Sequence, residues 1–276
     1  MAILSASVVS TRRGIDIEVR SGGAGPDLVW FHGLVGLAAE EPVLESLAER
    51  FTVHAPIWPG YGEIDNEGAI EDMLDFALLG WDIVDALGVG AEHDVDALGV
   101  GAGRPHLVGH SFGAMVAAEM ACVARNDLDR LALVAPFGLW LDDHPIPDPF
   151  AVLPFQLTEL LLADPANATK LVSGADLESD EGLAEFMVAN ARRLGTAGKV
   201  MFPIPNRRLS KRLYRLTAPT LVVMAGEDRL ITEPYGDAWR DAIDGAVVTT
   251  IADAGHLANL EQPAAVADAL ADFLAD

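Results

Sequence analysis

Residues 109–113 read Gly-His-Ser-Phe-Gly, between two stretches of opposite character. Arg104 to Val108 is short and apolar, like a buried strand. Ala114 to Ala124 is a run of strong helix formers. A serine between glycines at a strand-to-helix junction implies a sharp, strained turn, because only glycine leaves room on either side. The Ser111 hydroxyl is then expected at the end of a sheet, beside a helix N-terminus. A strand leading directly into a helix suits a sheet whose strands alternate with helical crossovers.

The rest of the sequence supplies them. Val8 to Ser10 and Ile15 to Arg20 read as an opening hairpin around Arg13-Gly14. Asp27 to Phe31, Phe51 to Ala55, Arg130 to Ala135, Pro219 to Ala225 and Ala246 to Ile251 read as further strands. Helices are expected over Glu40 to Arg50, Ile70 to Leu87 and Pro263 to Leu274. This alternation predicts an α/β architecture, a mostly parallel sheet covered on both faces. Two segments break the rhythm. Val84-Asp-Ala-Leu-Gly-Val-Gly-Ala91 recurs as residues 95–102, which reads as a local duplication lengthening a surface loop. Pro136 to Thr217 contains no strand-like run. It reads as an insertion between two core strands, placed to cover a crevice at the strand C-terminal ends.

The formal charge of -24 disfavours nucleic acid and anionic membrane surfaces as partners. No 18-residue apolar run and no signal-like N-terminus stand in the sequence, so a soluble, cytoplasmic protein is expected. Cys122 is the only cysteine and reads as a small core residue. No Cys/His cluster has zinc-like spacing, and no Lys-Ser/Thr follows Gly22-Gly-Ala-Gly25, so neither a metal nor an organic cofactor is expected.

An aliphatic hydroxyl is a poor nucleophile until a base lies within hydrogen-bond reach and a third group orients that base. Seven histidines are available. His110 adjoins Ser111 and is expected to point elsewhere; His106 lies within a strand; His54, His93 and His144 have no special setting; His32 precedes Gly33 in a strand-ending turn. His256 lies in Asp253-Ala-Gly-His, a loop between the last strand and the last helix, from which an imidazole can reach a neighbouring strand end. Asp228 follows the buried run Thr220 to Ala225 and is the favoured acid. Glu227 is its immediate rival, and Asp253 stands too near His256 to bridge it. The developing oxyanion needs backbone N–H donors. Phe112, directly after the serine, and Leu34, in the loop after the Asp27 strand, are the candidates.

The order His-Gly, Gly-x-Ser-x-Gly, Asp, His, with these spacings, resembles the α/β-hydrolase superfamily over nearly the whole chain. Residues 218–228 and 255–263 are similar to its acid and histidine segments. The resemblance implies a core of residues 1–136 and 218–276 and a helical cap of residues 137–217. A serine nucleophile resembles the esterase, lactonase, thioesterase and carbon–carbon hydrolase branches rather than those that place aspartate there. One departure is the loop that often reads Gly-x-Gly-x-Ser in the family; here it is Gly60-Tyr-Gly-Glu-Ile64.

The function expected is hydrolysis of carboxylic esters or related acyl compounds through an acyl-enzyme on Ser111. A carbon–carbon hydrolase of aromatic meta-cleavage-type diketone acids is the alternative. Perhydrolysis or cofactor-free oxygenation is a third reading, and a non-catalytic ligand-binding receptor is the reading from another class. Trp58, Phe137, Trp140, Phe155 and Met201 are candidate walls for a small apolar or aromatic acyl substrate. Arg207, Arg208, Lys211, Arg212 and Arg215 form the basic cluster. On a helix, 208, 211, 212 and 215 would share a face, either solvated or meeting an anionic substrate group.

Overall fold

A computed structural model describes residues 4–89, 103–152, 154–168, 179–204 and 208–275. Eight strands form one sheet: β1 (Ser5–Ser10), β2 (Asp16–Gly23), β3 (Asp27–Phe31), β4 (Thr52–Pro56), β5 (His106–His110), β6 (Leu131–Val134), β7 (Thr220–Ala225) and β8 (Val247–Ile251). Their order is β1-β2-β4-β3-β5-β6-β7-β8. The β1–β2 and β2–β4 pairs are antiparallel, and every other neighbouring pair is parallel.

The period-2 alternation of a strand divides the apolar residues between two cores. On β3, Val29 and Phe31 face one core while Leu28 and Trp30 face the other. On β6, Leu131 and Leu133 part from Ala132 and Val134 in the same way. Helices α1 (Pro42–Leu47) and α8 (Pro263–Ala275), the latter following the short α7 (Ala258–Glu261), cover one face. Helices α2 (Met73–Ala86), α3 (Phe112–Val123) and α6 (Pro234–Ala242) cover the other. Both faces are therefore dry, as a parallel sheet requires.

Several boundaries move from the sequence expectation, each for a local reason. Helix α2 begins at Met73 because the Asp72 carboxylate accepts the N–H groups of Leu74 and Asp75. Helix α1 begins at Pro42, whose fixed φ suits a first helical position. Strand β5 runs to His110, closer to Ser111 than the Arg104–Val108 run suggests. Gly22 and Gly23 belong to β2 rather than to a turn. The first copy of the duplicated segment ends α2, while residues 90–102 lie outside the described residues.

Between β6 and β7 the chain leaves the sheet. Its described parts hold α4 (Pro154–Leu161), a 3-10 turn at Pro165–Asn167, α5 (Asp180–Met201), and 3-10 turns at Leu209–Lys211 and Leu213–Arg215. Helix α5 starts at the Ser179 cap, whose hydroxyl accepts Gly182 N–H. It is pinned to the core by two cations. Arg192 meets Glu67 and Asp65, and Lys199 Nζ donates to the carbonyls of Glu67 and Ile70 at 2.6 Å each.

The basic cluster is not one helix face. Its described members sit on and beside the two 3-10 turns. Arg212 pairs with the buried Glu119 of α3, and Arg215 Nε donates to Cys122 O at 2.7 Å. These two cations tie the excursion to α3. Cys122 is buried there, its thiol pushed up to about 12 by burial and the Glu119 charge. No helix among the described residues is long and apolar enough to cross a membrane.

Candidate active site

Ser111 adopts φ 60°, ψ −125°, a strained conformation for a residue with a side chain. Close packing imposes it. A Cβ at Gly109 would lie 2.5 Å from Ala114 Cα, and one at Gly113 would lie 2.3 Å from Phe31 O. The turn thus lies flat against the end of β3, where a bulkier neighbour has no space. Ser111 is fully buried in this conformation.

The strand ends bring three distant side chains together. His256 Nε2 lies 2.7 Å from Ser111 Oγ, and His256 Nδ1 lies 2.8 Å from Asp228 Oδ2. Asp228 Oδ1 accepts the N–H groups of Leu230 (2.8 Å) and Ile231 (2.9 Å), which fixes the carboxylate plane. An ionised carboxylate only accepts, so Nδ1 carries the imidazole proton. Nε2 is left bare and accepts from the Ser111 hydroxyl. Glu227, the rival acid, is exposed on the adjoining turn.

The two oxyanion candidates flank the serine. Phe112 is the first residue of α3, so its N–H has no acceptor one helical turn back. Leu34 follows Gly33, where a Cβ would fall 2.5 Å from Ser111 Cβ. His32 holds that loop. Its Nε2 accepts Trp58 N–H at 3.0 Å, so Nδ1 is protonated and donates to Gly33 O at 3.0 Å. Burial lowers its pKa to about 4, and the ring is neutral.

His110 does not point away from the site. Its Nε2 donates to the carbonyl of His256 at 2.8 Å, and burial, with the neighbouring His256 next, lowers its pKa to about 3. From the sequence, His32 reads as a turn residue and His110 as uninvolved. Both are buried struts, and no spacing signal distinguishes a strut from a bystander.

Phe137 packs its ring 5.5 Å from that of His256, and its N–H donates to Ser111 O. Phe137, Trp140 and Met201 line an apolar crevice of about 20 Å³ with Met115, Leu139 and Ile146, roughly the room of one water. Trp58 is placed otherwise. It is fully buried, stacked on Phe31 at 5.0 Å, and belongs to the core beneath the loop rather than to the crevice. Phe155 falls on α4, and its side chain lies outside the described residues. Above the Leu34 loop, Tyr61 packs 4.6 Å from His32 and 6.0 Å from Phe112. The Tyr61 hydroxyl and Arg193 Nε of α5 are buried with no hydrogen-bond partner among the described residues. The Arg193 charge is close enough to act on both His32 and Tyr61.

The sequence matches the model of the alpha/beta hydrolase family over residues 22–269. It is 29% identical over 252 residues to the dihydrolipoyllysine-residue acetyltransferase component of the acetoin cleaving system of Cupriavidus necator, covering 88% of this chain and 62% of that protein. The chain thus spans less than two thirds of that relative's length. Among solved structures, 2-hydroxy-6-oxo-6-phenylhexa-2,4-dienoate hydrolase from a Rhodococcus species superposes with a TM-score of 0.76 at 19% identity, over 100% of each chain. A carboxylesterase from Bacillus subtilis superposes with a TM-score of 0.72 at 21% identity, over 98% of this chain and 91% of that one. At these identities the likeness is one of fold.

Proposed function

This chain belongs to the alpha/beta hydrolase family, and from that premise we propose that it is a serine hydrolase of carboxylic esters or related acyl compounds, with Ser111, His256 and Asp228 as its catalytic residues. The observation that carries the reading is the unbroken relay from Ser111 Oγ through His256 to Asp228, at 2.7 and 2.8 Å. Ser111 Oγ attacks the substrate carbonyl while Nε2 takes its proton, and Asp228 stabilises the imidazolium that forms. The carbonyl oxygen becomes an oxyanion, met by the N–H groups of Phe112 and Leu34. Collapse expels the alcohol with the proton returned from Nε2 and leaves an ester on Ser111. Water, giving a proton to Nε2, then releases the acid and restores the hydroxyl. Phe137, Trp140 and Met201 offer an apolar wall to the acyl group.

The test is turnover of short 4-nitrophenyl esters by the purified chain. The expected result is hydrolysis that Ser111→Ala reduces by at least about a thousandfold. Absence of turnover across esters, thioesters and lactones would contradict the reading.

One observation favours a second reading, a carbon–carbon hydrolase of acid-bearing diketones. Arg193 Nε and the Tyr61 hydroxyl are buried donors without partners beside the oxyanion loop, and a substrate carboxylate would satisfy both. The similar Rhodococcus enzyme is itself a dienoate hydrolase by name. Comparing kcat/KM for a vinylogous diketone acid with that for a neutral ester decides between the two.

A further inference from the structure

Two side chains next to the relay both reach away from it to the same short piece of the excursion. Glu261 lies five residues after His256. Its Oε2 accepts Gly255 N–H at 2.7 Å, in the loop that carries His256. The same oxygen accepts Ala163 N–H at 3.0 Å. Its Oε1 accepts Asp164 N–H at 3.0 Å and the Asn167 amide at 3.1 Å. Leu257 N–H adds a bond to Leu161 O at 3.1 Å.

Arg229 directly follows Asp228. Its Nη1 donates to the carbonyls of Glu159 (2.6 Å) and Leu162 (3.1 Å), at the C-terminal end of α4. A cation thus takes the carbonyls that end α4, and an anion takes the N–H groups that open the following turn. Each charge meets the end of backbone that suits it. A Cβ at Gly255 would fall 2.5 Å from Ala163 N, so the two segments are in direct backbone contact.

We propose that Glu261 and Arg229 are positioning residues for the relay: they hold the His256 and Asp228 loops in register by docking both onto residues 159–167. The inference rests on the serine-hydrolase reading given above. Neither group touches the reacting atoms. Their effect is to keep His256 within reach of Ser111 and Asp228 at once, since a shift of about 1 Å in such a base costs on the order of a hundredfold in rate.

The test uses Glu261→Gln, Arg229→Met, Arg229→Lys and Asn167→Asp in the full chain. The glutamine keeps one acceptor oxygen and turns an amide group toward N–H donors. Lysine at 229 still offers a cation to both carbonyls. Aspartate at 167, on the excursion, sets a second carboxylate against Glu261 and serves if the glutamine variant fails to fold. Turnover of 4-nitrophenyl butyrate is read together with the low-field proton resonance of His256 Nδ1–H. Expected are a kcat loss of roughly 10- to 100-fold in Glu261→Gln and Arg229→Met and about tenfold in Asn167→Asp, with KM within about threefold. The resonance broadens by exchange in the same three variants, and Arg229→Lys restores both readouts. Unchanged kcat and an unchanged resonance in folded variants would overturn the proposal, as would Arg229→Lys behaving like Arg229→Met. The resonance reads the His256–Asp228 bond whether or not any ester is cleaved. Absent turnover in the parent chain with a variant-sensitive resonance therefore counts against the serine-hydrolase reading and supports the positioning role.

Discussion

The strain at Ser111 is maintained by its neighbours' lack of side chains. A methyl group at Gly113 would come within 2.4 Å of two carbonyl oxygens, Phe31 O and His32 O. Gly113→Ala is expected to destabilise the fold by about 3 kcal/mol or more, because the overlap is with backbone and not with a flexible side chain. Urea denaturation checks the magnitude; a loss under about 1 kcal/mol would show that the turn can relax. Glu41 makes a second prediction at the same scale. It is buried where its carboxylate accepts Ala38 N–H at 2.6 Å and faces Asn259, whose Oδ1 lacks a partner among the described residues. Burial raises its pKa from 4.5 to about 7. A raised acid gives stability that is present below about 4.5 and lost as pH rises through 7. Glu41→Gln imitates the neutral acid and can donate to Asn259. It is expected to match the parent near pH 4 and to exceed its stability at pH 8 by on the order of 3 kcal/mol. Equal stability of the two chains at pH 8 would refute the buried-acid argument.

At the scale of elements, α3 ties the serine to the excursion through Glu119 and Arg212. Glu119 is nearly inaccessible while Arg212 keeps about a third of its side-chain surface in water, so the pair is partly screened. Glu119→Ala is expected to destabilise by about 2 kcal/mol, below the value for a fully buried pair, since the stranded guanidinium can turn to solvent. Thermal unfolding at matched salt measures it. Much of this layer is legible in the sequence. Apolar runs ending in Asp228 and in the Gly255-His256 loop mark strand ends on one side of a parallel sheet, and parallel strands put their C-terminal ends together. What is not legible is contact between elements. Nothing in the spacing of Arg208, Lys211, Arg212 and Arg215 tells one helix from two 3-10 turns, and the partner that decides it, Glu119, stands far off in sequence. His32, His110 and Glu261 make most of their hydrogen bonds to main-chain groups, which leave no residue pattern. Trp58 reads as pocket wall from its loop, whereas stacking on Phe31 draws it into the core.

For the whole molecule, the sheet's parallel centre converts sequence order into a single rim, and Phe137 and residues 159–167 of the excursion pack against the loops there. Ser111 is wholly inaccessible in this conformation, so contact with any substrate requires a neighbouring group to move. The buried neutral histidines weaken the fold toward acid pH. His32 and His110 titrate near 4 and 3 in the fold against an ordinary 6.5. The unfolded chain therefore binds more protons below 6.5. Their stability is full above that pH and is lost as pH falls, at about 1.4 kcal/mol per pH unit for each ring. Replacing His110 with Asn is expected to lower the slope of stability against pH between about 4 and 6 by roughly one proton, read from urea denaturation across that range. An unaltered slope would mean the ring is not kept neutral by the fold.

The central claim, that residues 111, 228 and 256 act together to make one hydroxyl reactive, is tested most directly by intact-protein mass spectrometry with a fluorophosphonate. The predicted result is a single adduct, mapped to Ser111, whose rate of formation drops more than about a hundredfold in His256→Ala. No adduct on the folded parent chain, or one formed equally fast without His256, would contradict it.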